Sequence, residues 1–216
     1  MRAPWSTVPV LFATGCGLLA PNDRTAPMPA FWSWFTAHQA SFRDPGHLDP
    51  AEYDALTAQV RTIEPDLIAE LGQTPIGGSL LVISADGLQS AFPAVKATVA
   101  AAPRIPDWQV VAFRQPDAAP DWQLQLSGLT VSCADVRVQW RGTAAHADVD
   151  VWMPLPPETP TDTLGQFGFL ALDQAIGEYA TETQIGELRW HPTPAPVGAK
   201  TLQELRAFLG TVPASP

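Results

Sequence analysis

Lysine is nearly absent from this chain: Lys96 and Lys200 stand against ten arginines. Asparagine occurs once, at Asn22, and tyrosine twice. These three residue types have AT-rich codons, so their scarcity points to a GC-rich genome, and part of the alanine and proline content is then codon drift. Basic groups are outnumbered 12 to 22, which leaves a net charge of −10 over 216 residues. Nucleic-acid backbones and anionic membrane surfaces need a basic footprint, so neither is expected as the main partner. No apolar run reaches the roughly 18 residues of a membrane span, so no transmembrane segment is expected. Cysteine is limited to Cys16 and Cys133. That excludes a disulfide framework, and no CxxC or Cys/His spacing offers a zinc site. Cys133 reads as a small core residue.

What is present is apolar and aromatic. Hydrophobic residues make up 46% and charged residues 16%, enough to form a core. The length fits one domain. Of the 23 prolines, Pro154, Pro156, Pro157 and Pro160 mark one stiff linker and Pro192, Pro194 and Pro196 a second, and the eight tryptophans imply a filled core, an aromatic-lined surface, or both.

Residues 1–27 read as a leader or a disordered extension. Ala13-Thr14-Gly15-Cys16 after a short apolar stretch has the form of a lipoprotein signal, with Cys16 acylated. Pro4 and Pro9 interrupt that stretch, which weighs toward an extension and a folded unit from Met28. The expected location is cytoplasmic, with lipid anchoring through Cys16 as the alternative. Residues 28–216 carry −11 (10 basic, 21 acidic), so the acidity belongs to the domain itself.

Within that domain Phe31, Trp34, Phe35 and His38 have helical spacing over Ala30–Gln39. Asp49 with Pro50 starts a second helix to about Ile63, and Leu67–Leu71 is expected to continue helically. Ser79–Ser84 reads as a buried central strand. Asp86-Gly87 turns the chain into a helix capped by Ser90. Trp108–Phe113, Trp122–Ser127 and Leu129–Cys133 read as strands. Asp135–Arg141 and His146–Trp152 alternate strictly and form a hairpin, expected to set Arg141 against His146, Gln139 against Asp148 and Arg137 against Asp150. Thr163–Tyr179 is a helix and Gln184–Trp190 a last strand. After the proline-rich linker 192–196 a helix over 201–209 starts with a Thr201/Glu204 capping box and stops at Gly210. No internal repeat is visible. Runs of consecutive strands indicate an α+β fold: one domain, mainly antiparallel, with helices packed on one face.

Several segments together resemble an uncharacterised family of bacterial proteins of unknown function. They are Phe31-Trp32-Ser33-Trp34-Phe35, Val82-Ile83-Ser84-Ala85-Asp86-Gly87, Ala101-Ala102-Pro103 leading to Trp108 and Ala112-Phe113-Arg114, Leu172-Asp173-Gln174, and Gly177-Glu178-Tyr179. The resemblance spans about residues 28–190 and implies no activity.

Chemistry-bearing constellations are few. His146, Asp148 and Asp150 share a strand face, but steps of about 7 Å suit a cross-strand ionic ladder with Arg137 and Arg141 better than one metal ion. No metal and no cofactor is expected. Asp86, in a strand-to-helix turn, is a candidate nucleophile or base beside its plain role as a turn residue. Asp173 and Glu178 lie five apart, on different faces of a regular helix, and read as a solvated helix end. His38, and His47 with Asp44, are explained by a helix face and a turn. Trp152, in phase with the acidic residues, is a candidate recognition residue with Arg137, Asp148 and Asp150. The leading expectation is a non-enzymatic, inhibitor-type binding protein for a basic partner. A small hydrolase-like enzyme using Asp86 or the His146/Asp148/Asp150 face is the alternative.

Overall fold

The computed structural model describes residues 27–74, 76–117 and 121–210. Cys16 and the rest of the segment expected to be a leader or an extension, up to residue 26, lie outside them. Helix α1 (Pro27–His38) and helix α2 (Pro50–Arg61) lead into β1 (Ile68–Gln73), β2 (Ser79–Ser84), α3 (Phe92–Ala100) and β3 (Trp108–Ala112). A hairpin of β4 (Gln123–Leu126) and β5 (Leu129–Ser132) follows. The chain then runs through β6 (Arg137–Thr143), β7 (His146–Trp152), α4 (Thr161–Ile176), α5 (Glu178–Gln184), β8 (Ile185–His191) and α6 (Leu202–Leu209). This is a single-domain α+β fold with three mostly antiparallel sheets.

One connection occurs twice. β1 pairs antiparallel with β2, α3 crosses over, and β3 returns parallel to β2. β6 pairs antiparallel with β7, α4 and α5 cross over, and β8 returns parallel to β7. The repeat is one of topology alone: residues 85–107 make the first crossover and residues 153–184 the second, with one α-helix in the first and two in the second.

Each half has its own core. Period-two alternation sends Ala69, Leu81, Ile83 and Ala112 of the first sheet into a cluster with Phe31, Trp32, Phe35, Leu56 and Val95 of α1, α2 and α3. Trp32 donates its indole N–H to the Thr98 carbonyl at 3.0 Å and so ties α1 to α3. In the last sheet Val138, Val149 and Val151 pack on Phe167, Leu172 and Leu205 of α4 and α6. The opposite face of the first sheet carries Glu70, Leu80, Val82 and Val111.

Several local expectations hold. β2 and β7 have the expected bounds, Asp49 caps α2 through the Ala51 N–H at 2.8 Å, and Thr201 with Glu204 forms the capping box of α6. Others are corrected. Leu67–Leu71 does not continue as helix: residues 68–73 form β1, because pairing with the apolar β2 outweighs the helix propensity of Leu, Ala and Glu. Ser90 caps no helix; a short 3-10 turn at Gln89–Ala91 precedes α3. The expected helix over 163–179 is two helices, broken at Gly177, whose φ of +86° no regular helix contains.

The hairpin register is also corrected. The loop between β6 and β7 is two residues, Ala144-Ala145, where four were expected. Every pair therefore slips by two positions: Arg137 faces Trp152, Gln139 faces Asp150, Arg141 faces Asp148 and Thr143 faces His146. A slip of two keeps each side chain on its expected face.

Candidate functional site

Where the two halves meet, Arg114 follows β3 into a group of carboxylates. Its Nε donates to Glu70 Oε1 at 2.8 Å, its Nη2 reaches Asp86 Oδ1 at 2.8 Å, and its Nη1 reaches Asp173 Oδ2 at 3.2 Å. Nη2 also lies 2.6 Å from Glu70 Oε1. One guanidinium thus bridges β1, the turn after β2, and α4. Burial disfavours its charge, but Glu70, and then Asp86 and Glu178, more than offset this and hold its pKa above the ordinary arginine range.

Behind Arg114, Glu178 is fully buried. Its carboxylate accepts from the Ser84 hydroxyl at 2.8 Å and from the backbone N–H groups of Arg114, Ala85 and Gly87 at 3.1, 3.2 and 3.3 Å. The Glu178 N–H in turn donates to the Arg114 carbonyl at 3.0 Å. A buried carboxylate survives only with such partners. The break at Gly177 makes this possible. It redirects the chain so that Asp173 and Glu178, on different faces of a continuous helix, converge on one cluster.

The expectation of a solvated helix end is therefore overturned, since Asp173 is 8% exposed. Burial pushes its carboxyl up to about pH 6, Arg114 partly opposes this, and the like charge of Glu178 reinforces it. Glu182 is raised in the same sense, by burial first.

The backbone around the cluster is strained. Asp86 has φ +48° and Phe113, next to Arg114, has φ +65°. A bulky aromatic in the left-handed region is uncommon and costs of the order of 1–3 kcal/mol. The Phe113 ring is locked between Phe92 and Tyr179, with centroids 4.5 and 5.2 Å away. That packing holds the residue so that Arg114 points into the cluster. Beside it lies a cleft of about 180 Å³ between the second face of the first sheet and α4.

Of the site residues expected from sequence, Asp86 stands on the lip of this cluster, its side chain 62% exposed and paired with Arg114. Arg137, His146, Asp148, Asp150 and Trp152 lie elsewhere, on the polar face of the last sheet. Arg137 does not pair with Asp150; its Nη1 donates to the carbonyls of Ala134 and Val136. Asp150 is held by His191 at 2.9 Å and by Arg141 and Arg189, each at 3.6 Å. Two of these three come from β8, whose place beside β7 the alternation does not reveal. Trp152 stacks on the His191 ring at 4.7 Å. His146 Nε2 lies 4.0 Å from Asp148 Oδ1, which accepts the Glu187 N–H at 2.9 Å. Among the described residues no three His, Cys, Asp or Glu groups converge as a metal site. His38 stacks on Trp34, and His47 bonds Asp44 at 2.9 Å within its turn.

Four of the segments singled out in the sequence, 82–87, 112–114, 172–174 and 177–179, meet at Arg114. The residue that joins them was missed as a site residue because no local motif marks an arginine whose partners lie 28 to 64 positions away. No family model, curated protein or solved structure matches the chain.

Proposed function

We propose that this protein is a non-enzymatic, acidic binding module, inhibitor-like in character, that engages a basic protein partner. The observation that carries this reading is the surplus of carboxylates around Arg114. Glu70, Asp86 and Asp173 share a single guanidinium, Glu178 behind them takes only the backbone N–H of Arg114, and Glu182 lies beyond Gly87, where a Cβ would come within 2.9 Å of its Oε1. Such a surplus favours a second cation and disfavours an anionic ligand. The net charge of −10 extends the same preference over the molecule, speeding encounter with a basic surface and opposing nucleic acid.

The small-enzyme alternative draws on the raised pKa of Asp173 beside a cleft, a setting that suits acid–base chemistry. Neither Asp86 nor His146 lines that cleft. Trp152 with Arg137, Asp148 and Asp150 remains a secondary contact patch in this proposal. The module acts in the cytoplasm, or at a membrane surface if Cys16 carries a lipid. The likeness to an uncharacterised bacterial family is part of the same proposal.

Titration of the protein with poly-L-arginine and with poly-L-glutamate, at low and at raised salt, tests it. Binding of the polycation alone, weakened by salt, is expected. Failure to bind poly-L-arginine, or equal binding of both polymers, overturns the reading.

A further inference from the structure

We infer that the cleft between the first sheet and α4 receives one basic side chain of the partner, a lysine or an arginine, as the anchor of the complex. This rests on the binding reading above and gives it a place and a chemistry.

The cleft is two-sided. Leu80, Val82, Val111 and Leu170 make it apolar, and Glu70 and Asp173 stand in its wall with Arg114. An apolar floor under a negative wall matches an aliphatic stem that ends in a cation, the build of lysine and arginine side chains. At about 180 Å³ the cleft is below the roughly 300–1,000 Å³ of pockets for small molecules and cofactors, and is of the scale of one long side chain.

The carboxylates also have capacity left. Both contacts of Arg114 with Glu70 fall on Oε1, and its contact with Asp173 falls on Oδ2. Asp173 also takes a hydrogen bond from the Thr181 side chain, so the open oxygen is Glu70 Oε2, which an incoming cation can approach without displacing Arg114. Such a cation would also relieve the cost of ionised Asp173, which burial and Glu178 both raise. Arg114 is anchored on three sides and stays in place as the resident counter-charge, so the cleft need not collapse when empty.

The test uses the full chain, 15N-labelled, at about pH 8, where Asp173 is ionised. The probes are a blocked alanine–glycine peptide with one arginine, and its lysine and norleucine versions. Saturable shifts at the amides of Val111, Arg114, Leu170 and Gln174 are expected with arginine or lysine and not with norleucine. The tighter of the two cationic peptides identifies the head group. Glu70→Gln removes one counter-charge. Leu170→Trp fills the cleft while leaving every ion pair in place, and so separates loss of the site from loss of the fold. Each should weaken binding at least about tenfold. Equal response to norleucine, shifts confined to other surfaces, or unchanged affinity in both variants overturns the inference. If poly-L-arginine binds both variants as strongly as the natural chain, the acidic-module reading stands and the cleft assignment falls. If it does not bind the natural chain at all, the module reading itself falls.

Discussion

Glu178 accepts a 2.8 Å hydrogen bond from the hydroxyl of Ser84, 94 residues earlier in the chain, with neither side chain exposed. This contact closes the seam between the two halves, and its carboxylate is saturated by three backbone donors as well. Glu178→Gln replaces an acceptor with an NH₂ that faces N–H groups. A loss of about 2–4 kcal/mol is expected in urea unfolding, against about 1 kcal/mol for Ser84→Ala, which removes one donor to Glu178 and the acceptor of the part-buried Asp86 N–H. Equal losses would show that the backbone contacts to Glu178 contribute little.

Arg114→Met should be among the most damaging single changes. It leaves Asp173, Glu70 and the buried Glu178 without their shared counter-charge, and breaking a buried pair in this way costs about 3–5 kcal/mol. Arg114→Lys should recover only part, because an ammonium cannot reach three carboxylates with a planar fork. Denaturant midpoints of the two variants decide this, and a full recovery by lysine would contradict it.

Asp173 makes stability depend on pH with a definite sign. Its pKa is about 6 in the folded chain and about 4 when unfolded, so the native state holds the proton longer. Its contribution is full below about pH 4 and is lost as pH rises toward 6. Relative to the natural chain, Asp173→Asn should therefore gain about 2 kcal/mol between pH 4 and 7. A carboxyl-carbon titration by NMR with a midpoint near 4 would contradict the assignment.

Gly168 of α4 lies under Trp190 of β8, and a Cβ there would overlap the indole ring. Alanine is the better helix former by about 1 kcal/mol, yet Gly168→Ala should destabilise by about 1–3 kcal/mol through overpacking. Trp190→Leu should reverse the sign of the alanine substitution. Calorimetric melting of the four combinations measures both effects.

On the polar face of the last sheet, Asp150 should couple to His191 and be additive with Arg137. A double-mutant cycle with Asp150→Asn, His191→Gln and Arg137→Gln is expected to show a coupling of about 0.5–1 kcal/mol for the first pair and none for the second. Coupling between Asp150 and Arg137 would restore the register read from the alternation.

These particulars show which parts of the structure are local. β2 is legible because Ser-Leu-Leu-Val-Ile-Ser is apolar on both faces, and β7 because His146–Trp152 alternates without a fault. The caps at Asp49 and Thr201 are legible because their partners lie two or three residues away. β1 has the local propensity of a helix, and its strand state comes only from pairing with β2. The slip of the hairpin reflects a loop two residues shorter than its composition indicated. The cluster needed Gly177 to break a helix whose apolar spacing continues on both sides. It also needed Arg114 to gather acids from four separate segments. Asp86, Asp173 and Glu178 could each be named, but their convergence is a property of the fold.

The binding of poly-L-arginine as a function of pH, in the natural chain and in Asp173→Asn, tests the central claim most directly. If a surplus of carboxylates at Arg114 receives a basic partner, affinity should rise as pH passes through about 6, and the rise should be flattened in the variant. Affinity that does not change with pH, or that changes equally in both proteins, would contradict it.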